Sequence, residues 1–264
     1  MAVASGKTAL SQVNENANCL QRSGRMDWGL QFLQNLTGTP KNFHRQIERM
    51  FKGDLPPKYP LKLTVKGGAT MTVYATCAFD VLRCLHKHPQ QFQASLLGNY
   101  DKCVIAQYWE HMRGTSWQQC NVLRDDLWER RAFLFPTVWH SDAGNVYNDI
   151  DYLVYHWSTP FTYDMDPKDA RLYCFSIEDD LVTPKTEAEI TTFIVWQQGV
   201  LESGIIPALN HLQEPISEPW ASQAGQSLAS GYGASFSAWT GDLKARPHQI
   251  ATQSLRRGRG CLSF

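Results

Sequence analysis

Apolar residues recur at helical spacing between Trp28 and Phe51 (Leu30, Leu33 and Leu36, then Phe43, Ile47, Met50 and Phe51), and the break at Gly38-Thr39-Pro40 predicts two short helices. Residues 1–25 are polar, rich in Ser, Asn and Gly, and are expected to be a frayed, disordered tail. "GDLPPKYP" reads as a linker, and "LKLTVKGGATMTVYA" alternates with period two around a Gly-Gly turn. "CAFDVLRCLHKHPQQFQASLLG" and "NYDKCVIAQYWEHMRG" predict helices, the first reaching a proline and the second ending at Gly114.

The pattern changes after Arg131. "RRAFLFPTVWHSD", "DYLVYHWST" and "ARLYCFSIE" are three strand candidates joined by acidic, Asn- or Pro-containing connections, which suggests an antiparallel meander. "TPKTEAEITTFIVWQQGVLESG" opens with Thr and Pro, carries Glu in its first turn and predicts a helix. "SLASGYGASFSAWTGDLKA" then reads as a glycine-loosened strand ending at Gly241-Asp242. Three strands, a crossover helix and a fourth strand lying parallel beside the first resemble the start of the ribonuclease H-like fold. The expected class is therefore α+β or α/β: a helical N-terminal region followed by an incomplete ribonuclease H-like mixed sheet with flanking helices. The expected boundaries are a tail at 1–25, a helical basic region at 26–131, the sheet domain at 132–250 and a basic tail at 251–264.

Composition narrows the functional classes. At 264 residues and 43% hydrophobic, the chain can bury a real core. It has no signal-peptide run and no stretch of about eighteen apolar residues, so the expectation is an intracellular protein of nucleus or cytoplasm with no membrane partner. Seven scattered cysteines without a CxxC pair argue for reduced thiols rather than a disulfide framework or a zinc ribbon. The net charge of zero hides a segregation. Residues 1–141 hold 17 Lys+Arg against 10 Asp+Glu, residues 142–242 hold 3 against 15, and residues 243–264 hold 5 against none. A basic first part and tail around an acidic centre fit a protein that grips a polyanion while keeping acids near a metal, and they equally fit ordinary solvated faces.

In the predicted fold, Asp142 near the end of the first strand and Asp242 at the end of the fourth would lie side by side. Two close carboxylates repel unless a cation sits between them, and Mg²⁺ is the usual answer. Asp142 and Asp242 are thus the candidate catalytic and metal residues, for phosphodiester cleavage or strand transfer. Glu187 and Glu189 are further metal candidates, although first-turn acids also favour a helix dipole. Asp149 and Asp151 are expected in the turn before the second strand. His140 shares a strand face with Asp142 and could orient it or bind phosphate. Tyr108, Trp109, Trp117, Trp128 and Trp139 interleave with Arg113, Arg124, Arg130 and Arg131, a pattern suited to stacking on bases and holding phosphates, as well as to a core. With Arg256 and Arg257 these arginines form the candidate nucleic-acid-binding set, for DNA in preference to RNA.

The runs "HSDAG…WS", "TPKTEAEI…W…G…P" and "AGQSLASGY…W…GDLK", spanning about Tyr108 to Lys244, resemble uncharacterised transposon-derived open reading frames of repetitive protist families. The resemblance implies a transposase- or integrase-like protein with Mg²⁺-dependent ancestral chemistry. Such enzymes need a third acid after the fourth strand, and residues 243–264 contain none. The expectation is a degenerate protein whose end is truncated or frame-altered. The alternatives are a noncatalytic nucleic-acid-binding or interaction protein of the same fold, or a nonfunctional fragment.

Other motifs carry less. "SGKT" at residues 5–8 lacks the glycine and the preceding strand of a phosphate-binding loop. Cys77, Cys84 and His88 share a helical stripe, spaced wider than zinc motifs favour. Ser158 and His156 stand without a nucleophile elbow.

Overall fold

The computed structural model describes residues 55–113, 125–147, 150–162 and 170–241. The expected tail, the two helices before Phe51, the SGKT run and the basic C-terminal tail lie outside these residues.

Strand β1 (Lys58–Thr64) and strand β2 (Thr70–Thr76) form an antiparallel ribbon from Lys58↔Thr76 to Thr64↔Thr70. Its turn runs through Gly67 and Gly68, both at positive φ (86° and 80°), where a Cβ would be strained. Alternation splits the ribbon: Tyr59, Leu61 and Leu63 are buried, while Lys58, Pro60 and Lys62 point outward.

Three helices follow: α1 (Ala78–His86), α2 (Pro89–Leu97) and α3 (Lys102–Arg113). The segment reaching Pro89 divides in two because a residue before proline is pushed out of the helical region; His88 has φ −120° and ψ 84°, and Pro89 opens the next helix. A short helix α4 (Asp125–Trp128) and a 3₁₀ turn (Arg131–Phe133) lead into the sheet.

The four-stranded sheet contains β3 (Leu134–Tyr147), β4 (Ile150–Ser158), β5 (Leu172–Glu178) and β6 (Gly233–Gly241), in the order β5-β4-β3-β6. β3–β4 and β4–β5 are antiparallel, and β3–β6 is parallel from Leu134↔Gly233 to Ser141↔Gly241. Helix α5 (Pro184–Ser203) lies in the connection to β6. The meander, the crossover helix and the parallel return read from the sequence are all present, in a mixed α+β architecture. Asp151 departs from its expected turn: it belongs to β4 and pairs with Asn145.

Thr183 caps α5 in a capping box with Thr186, and Pro184 occupies the first turn. The helix buries Ile190, Phe193, Ile194, Val200 and Leu201. Gln198 sutures it to the sheet: its Oε1 accepts from Thr137 Oγ1 and Trp139 Nε1, both at 3.0 Å, and its Nε2 donates to the Ala234 carbonyl at 3.0 Å. One hydrophobic core runs from Tyr59 to Phe236. The chain divides into two compact units, Met1–Leu55 and Pro56–Phe264.

Candidate functional site

Period-two alternation gives β3 two faces. Thr137 and Trp139 bond Gln198 of α5, so this face, which includes Ser141, looks toward the helix. His140 and Asp142 therefore lie on the opposite face. The β3–β4 register sets His140 across from His156, with the rings stacked at 4.9 Å and 11°. His140 Nε2 meets Ser158 Oγ at 2.7 Å, and its Nδ1 meets Thr240 Oγ1 of β6. A neutral imidazole carries one donor and one acceptor, so two hydroxyls, which can each play either role, satisfy both nitrogens. Asp142 Oδ2 accepts from Arg171 Nη1 at 3.0 Å and lies 3.8 Å from His156 Nε2.

Electrostatics keep both imidazoles neutral at pH 7. Burial drives His140 down to about 4, assisted by repulsion from His156 and Arg171. Burial and Arg171 also hold His156 at about 4, against the opposing pull of Asp142. The His156 side chain is 9% exposed, and its Nε2 has no hydrogen-bond partner among the described residues.

The expected metal centre meets this geometry only in part. The described β3–β6 ladder ends at Ser141↔Gly241, and Asp242 lies outside the described residues. Asp142 lies inside β3, paired with Val154 and five residues before the strand ends at Tyr147, and the Arg171 guanidinium is its ion-pair partner. Glu187 and Glu189 lie apart from Asp142. Both lie on α5, across the sheet from Asp142. Glu189 accepts from Thr64 N at 2.6 Å and Thr64 Oγ1 at 2.8 Å, and the Glu187 charge acts on the phenol of Tyr155. Among the described residues, no group of three or more His, Cys, Asp or Glu is arranged to hold a metal ion. Mg²⁺ takes oxygen ligands in octahedral geometry, and two imidazoles, two hydroxyls and an arginine around one carboxylate do not fit it.

The arginines divide by role. Arg130 donates to the carbonyls of Ser203 (2.8 Å), Glu202 (3.4 Å) and Gly231 (3.2 Å), so it caps the C-terminal end of α5. Arg113 and Arg131 stack over Trp128 at 4.4 and 5.0 Å, and Arg131 also pairs with Glu110 at 3.0 Å. Arg124, Arg256 and Arg257 lie outside the described residues. Tyr108 and Trp109 pack on the core, Tyr108 through Ser237 and Trp109 through the Leu134 carbonyl. Cys77 is buried just before α1, as core packing requires.

Sequence reasoning missed Arg171, Thr240 and the pairing of His140 with His156. The two-residue spacing of His140 and Asp142 was visible, but their neighbours depend on strand register. No family model, curated protein or solved structure matches the chain. Among the described residues, no helix is long and apolar enough to cross a membrane.

Proposed function

We propose that the chain is a ribonuclease H-like, transposase- or integrase-like nucleic-acid-processing protein that retains DNA binding while its ancestral Mg²⁺-dependent chemistry at Asp142 and Asp242 has degenerated. The observation that carries this reading is the strand order β5-β4-β3-β6, antiparallel, antiparallel and parallel, with α5 in the connection to β6. The ladder supports it further, because Asp142 and Asp242 are the residues that follow the last described pair, Ser141↔Gly241, in the sequence. Degeneracy is supported by Arg171, whose guanidinium supplies at Asp142 the positive charge that a divalent ion would bring. The position of Glu187 and Glu189 across the sheet supports it as well.

The test combines DNA binding at rising salt, nicking of supercoiled plasmid with Mg²⁺ or Mn²⁺, and titration calorimetry of both ions. Each is run on the full chain and on an Asp142→Ala, Asp242→Ala variant. Binding is expected to fall as salt rises, because phosphate contacts release counterions. Metal heats are expected to be equal in the two proteins, with no nicking in either. Nicking that the double substitution abolishes would show a working catalyst and overturn the degenerate reading. Absence of binding, or binding indifferent to salt, would remove the nucleic-acid partner.

A further inference from the structure

The β1–β2 ribbon carries a face that the candidate site does not use. Between Lys58 and Thr76 the sequence has three lysines and no acid, inside a chain whose charge is balanced overall. One side of the ribbon is locked into the core by Tyr59, Leu61 and Leu63. The other side presents Lys58, Pro60, Lys62, Thr70, Thr72 and Tyr74 to solvent. Tyr74 is 64% exposed, the highest value among the exposed large apolar side chains of the described residues. It stands opposite Pro60, so its diagonal neighbours are Lys58 and Lys62, with Lys62 opposite Thr72 and Lys58 opposite Thr76. Diagonal neighbours on one face of an antiparallel pair lie about 7–8 Å apart, so Lys58 and Lys62 flank Tyr74 along this face. Among the described residues, neither lysine is paired with an acid.

Beside Lys62 the ribbon borders a cleft of about 390 Å³, walled on its far side by Lys185 of α5 and His211. The one acid in its lining, Glu189, is already held by two hydrogen bonds from Thr64. The cleft has the size of a small-ligand site and an excess of positive charge.

We propose that this ribbon face is a binding surface for single-stranded nucleic acid, with a base stacked on Tyr74 and the backbone phosphates running over Lys58, Lys62 and Lys185. The inference rests on the nucleic-acid reading above and gives that partner a site on the ribbon. Every base has a π-face, so an isolated aromatic between cations recognises an unstacked base without demanding sequence. Paired bases inside a duplex offer no such face, which selects the single strand. An anionic membrane fits less well, because interfacial segments bury contiguous apolar side chains, whereas this face has one aromatic set among Lys and Thr.

The test is fluorescence anisotropy of an end-labelled oligothymidylate against the full chain over a range of KCl concentrations. The variants are Tyr74→Ala, Tyr74→Phe and a Lys58→Ala, Lys62→Ala double substitution, each first matched to wild type in thermal unfolding. Tyr74→Ala is expected to weaken binding about fivefold or more, and Tyr74→Phe to retain it, because stacking needs the ring and not the hydroxyl. The double lysine substitution should lower the slope of log K against log salt by about 1.4, close to 0.7 for each phosphate on a single strand that no longer meets an ammonium. If wild type binds and both the Ala variant and the lysine variant bind as tightly with the same slope, the ribbon is not the site, while nucleic-acid binding stands. If wild type binds no oligothymidylate, the ribbon proposal falls, and the nucleic-acid reading is decided by the duplex DNA binding series described above. Binding to phosphatidylserine vesicles in place of the oligonucleotide would also overturn the proposal and assign the face to a membrane.

Discussion

Asp80 is 1% exposed, and burial lifts its carboxyl to about 6 even though Trp220 Nε1 (2.8 Å) and Arg83 Nη1 (3.2 Å) both stabilise the charged form. The folded state therefore holds this proton more tightly than the unfolded chain does. The stabilisation is complete below the ordinary carboxyl range and is lost as pH rises through about 6, on the order of 2–3 kcal/mol in all. Asp80→Asn, which can still accept from Trp220, is expected to remove this loss. Chemical denaturation should find the variant at least as stable as wild type at pH 8, with the advantage shrinking or reversing at pH 5. His140 and His156 act in the opposite sense. Their folded values are depressed to about 4, so their contribution is present above the ordinary imidazole range and is lost as pH falls from about 6.5 through 4. Ring-proton NMR titration should give midpoints near 4 for both. A midpoint at 6 or above for either would contradict the buried, stacked pair.

One position controls how α5 meets β6, and another how α5 begins. A Cβ built on Gly233 would lie 2.3 Å from the Leu201 carbonyl oxygen, a backbone atom that cannot swing aside. Gly233→Ala is thus expected to destabilise by about 1–3 kcal/mol, read as a fall of several degrees in Tm. Thr183→Ala, which removes the bond from Thr186 N, should cost about 1 kcal/mol by the same measurement. These elements also show what was legible in the chain. The strands announced themselves as short runs of aromatic and β-branched residues, and α5 through its cap and first-turn Glu, because those signals are local. Partners were not legible. Whether Glu189 faces a metal or bonds Thr64 depends on α5 packing beside β1, a relation between residues 125 positions apart. Asp151 looked like a turn residue because acids favour turns, yet the ladder extends to Asn145 and takes it into β4. The stacked histidines follow from a register that composition does not encode.

The charge segregation of the sequence can be followed element by element. The acid-free ribbon and the Arg113–Trp128–Arg131 stack come from the basic first part of the chain, and the acidic second part supplies the sheet that carries Asp142. Cations such as Arg130 and Arg171 that reach the later elements are used as structural pairs. Arg130→Ala should therefore lower Tm while leaving the salt dependence of DNA binding unchanged. An arginine that held a phosphate would instead alter the slope.

The parallel pairing of β3 with β6 joins residues about a hundred positions apart, as between Thr137 and Ser235, and it supplies the neighbour on one side of β3. During synthesis the ribosome must therefore deliver about a hundred further residues before that side is covered. Until then, a nascent polypeptide holding Phe135 and Trp139 offers a sticky, half-made ribbon to any similar chain nearby. Closing so distant a pair is slow. Expression yield should accordingly depend on chaperone supply more than the stability of the finished protein would suggest.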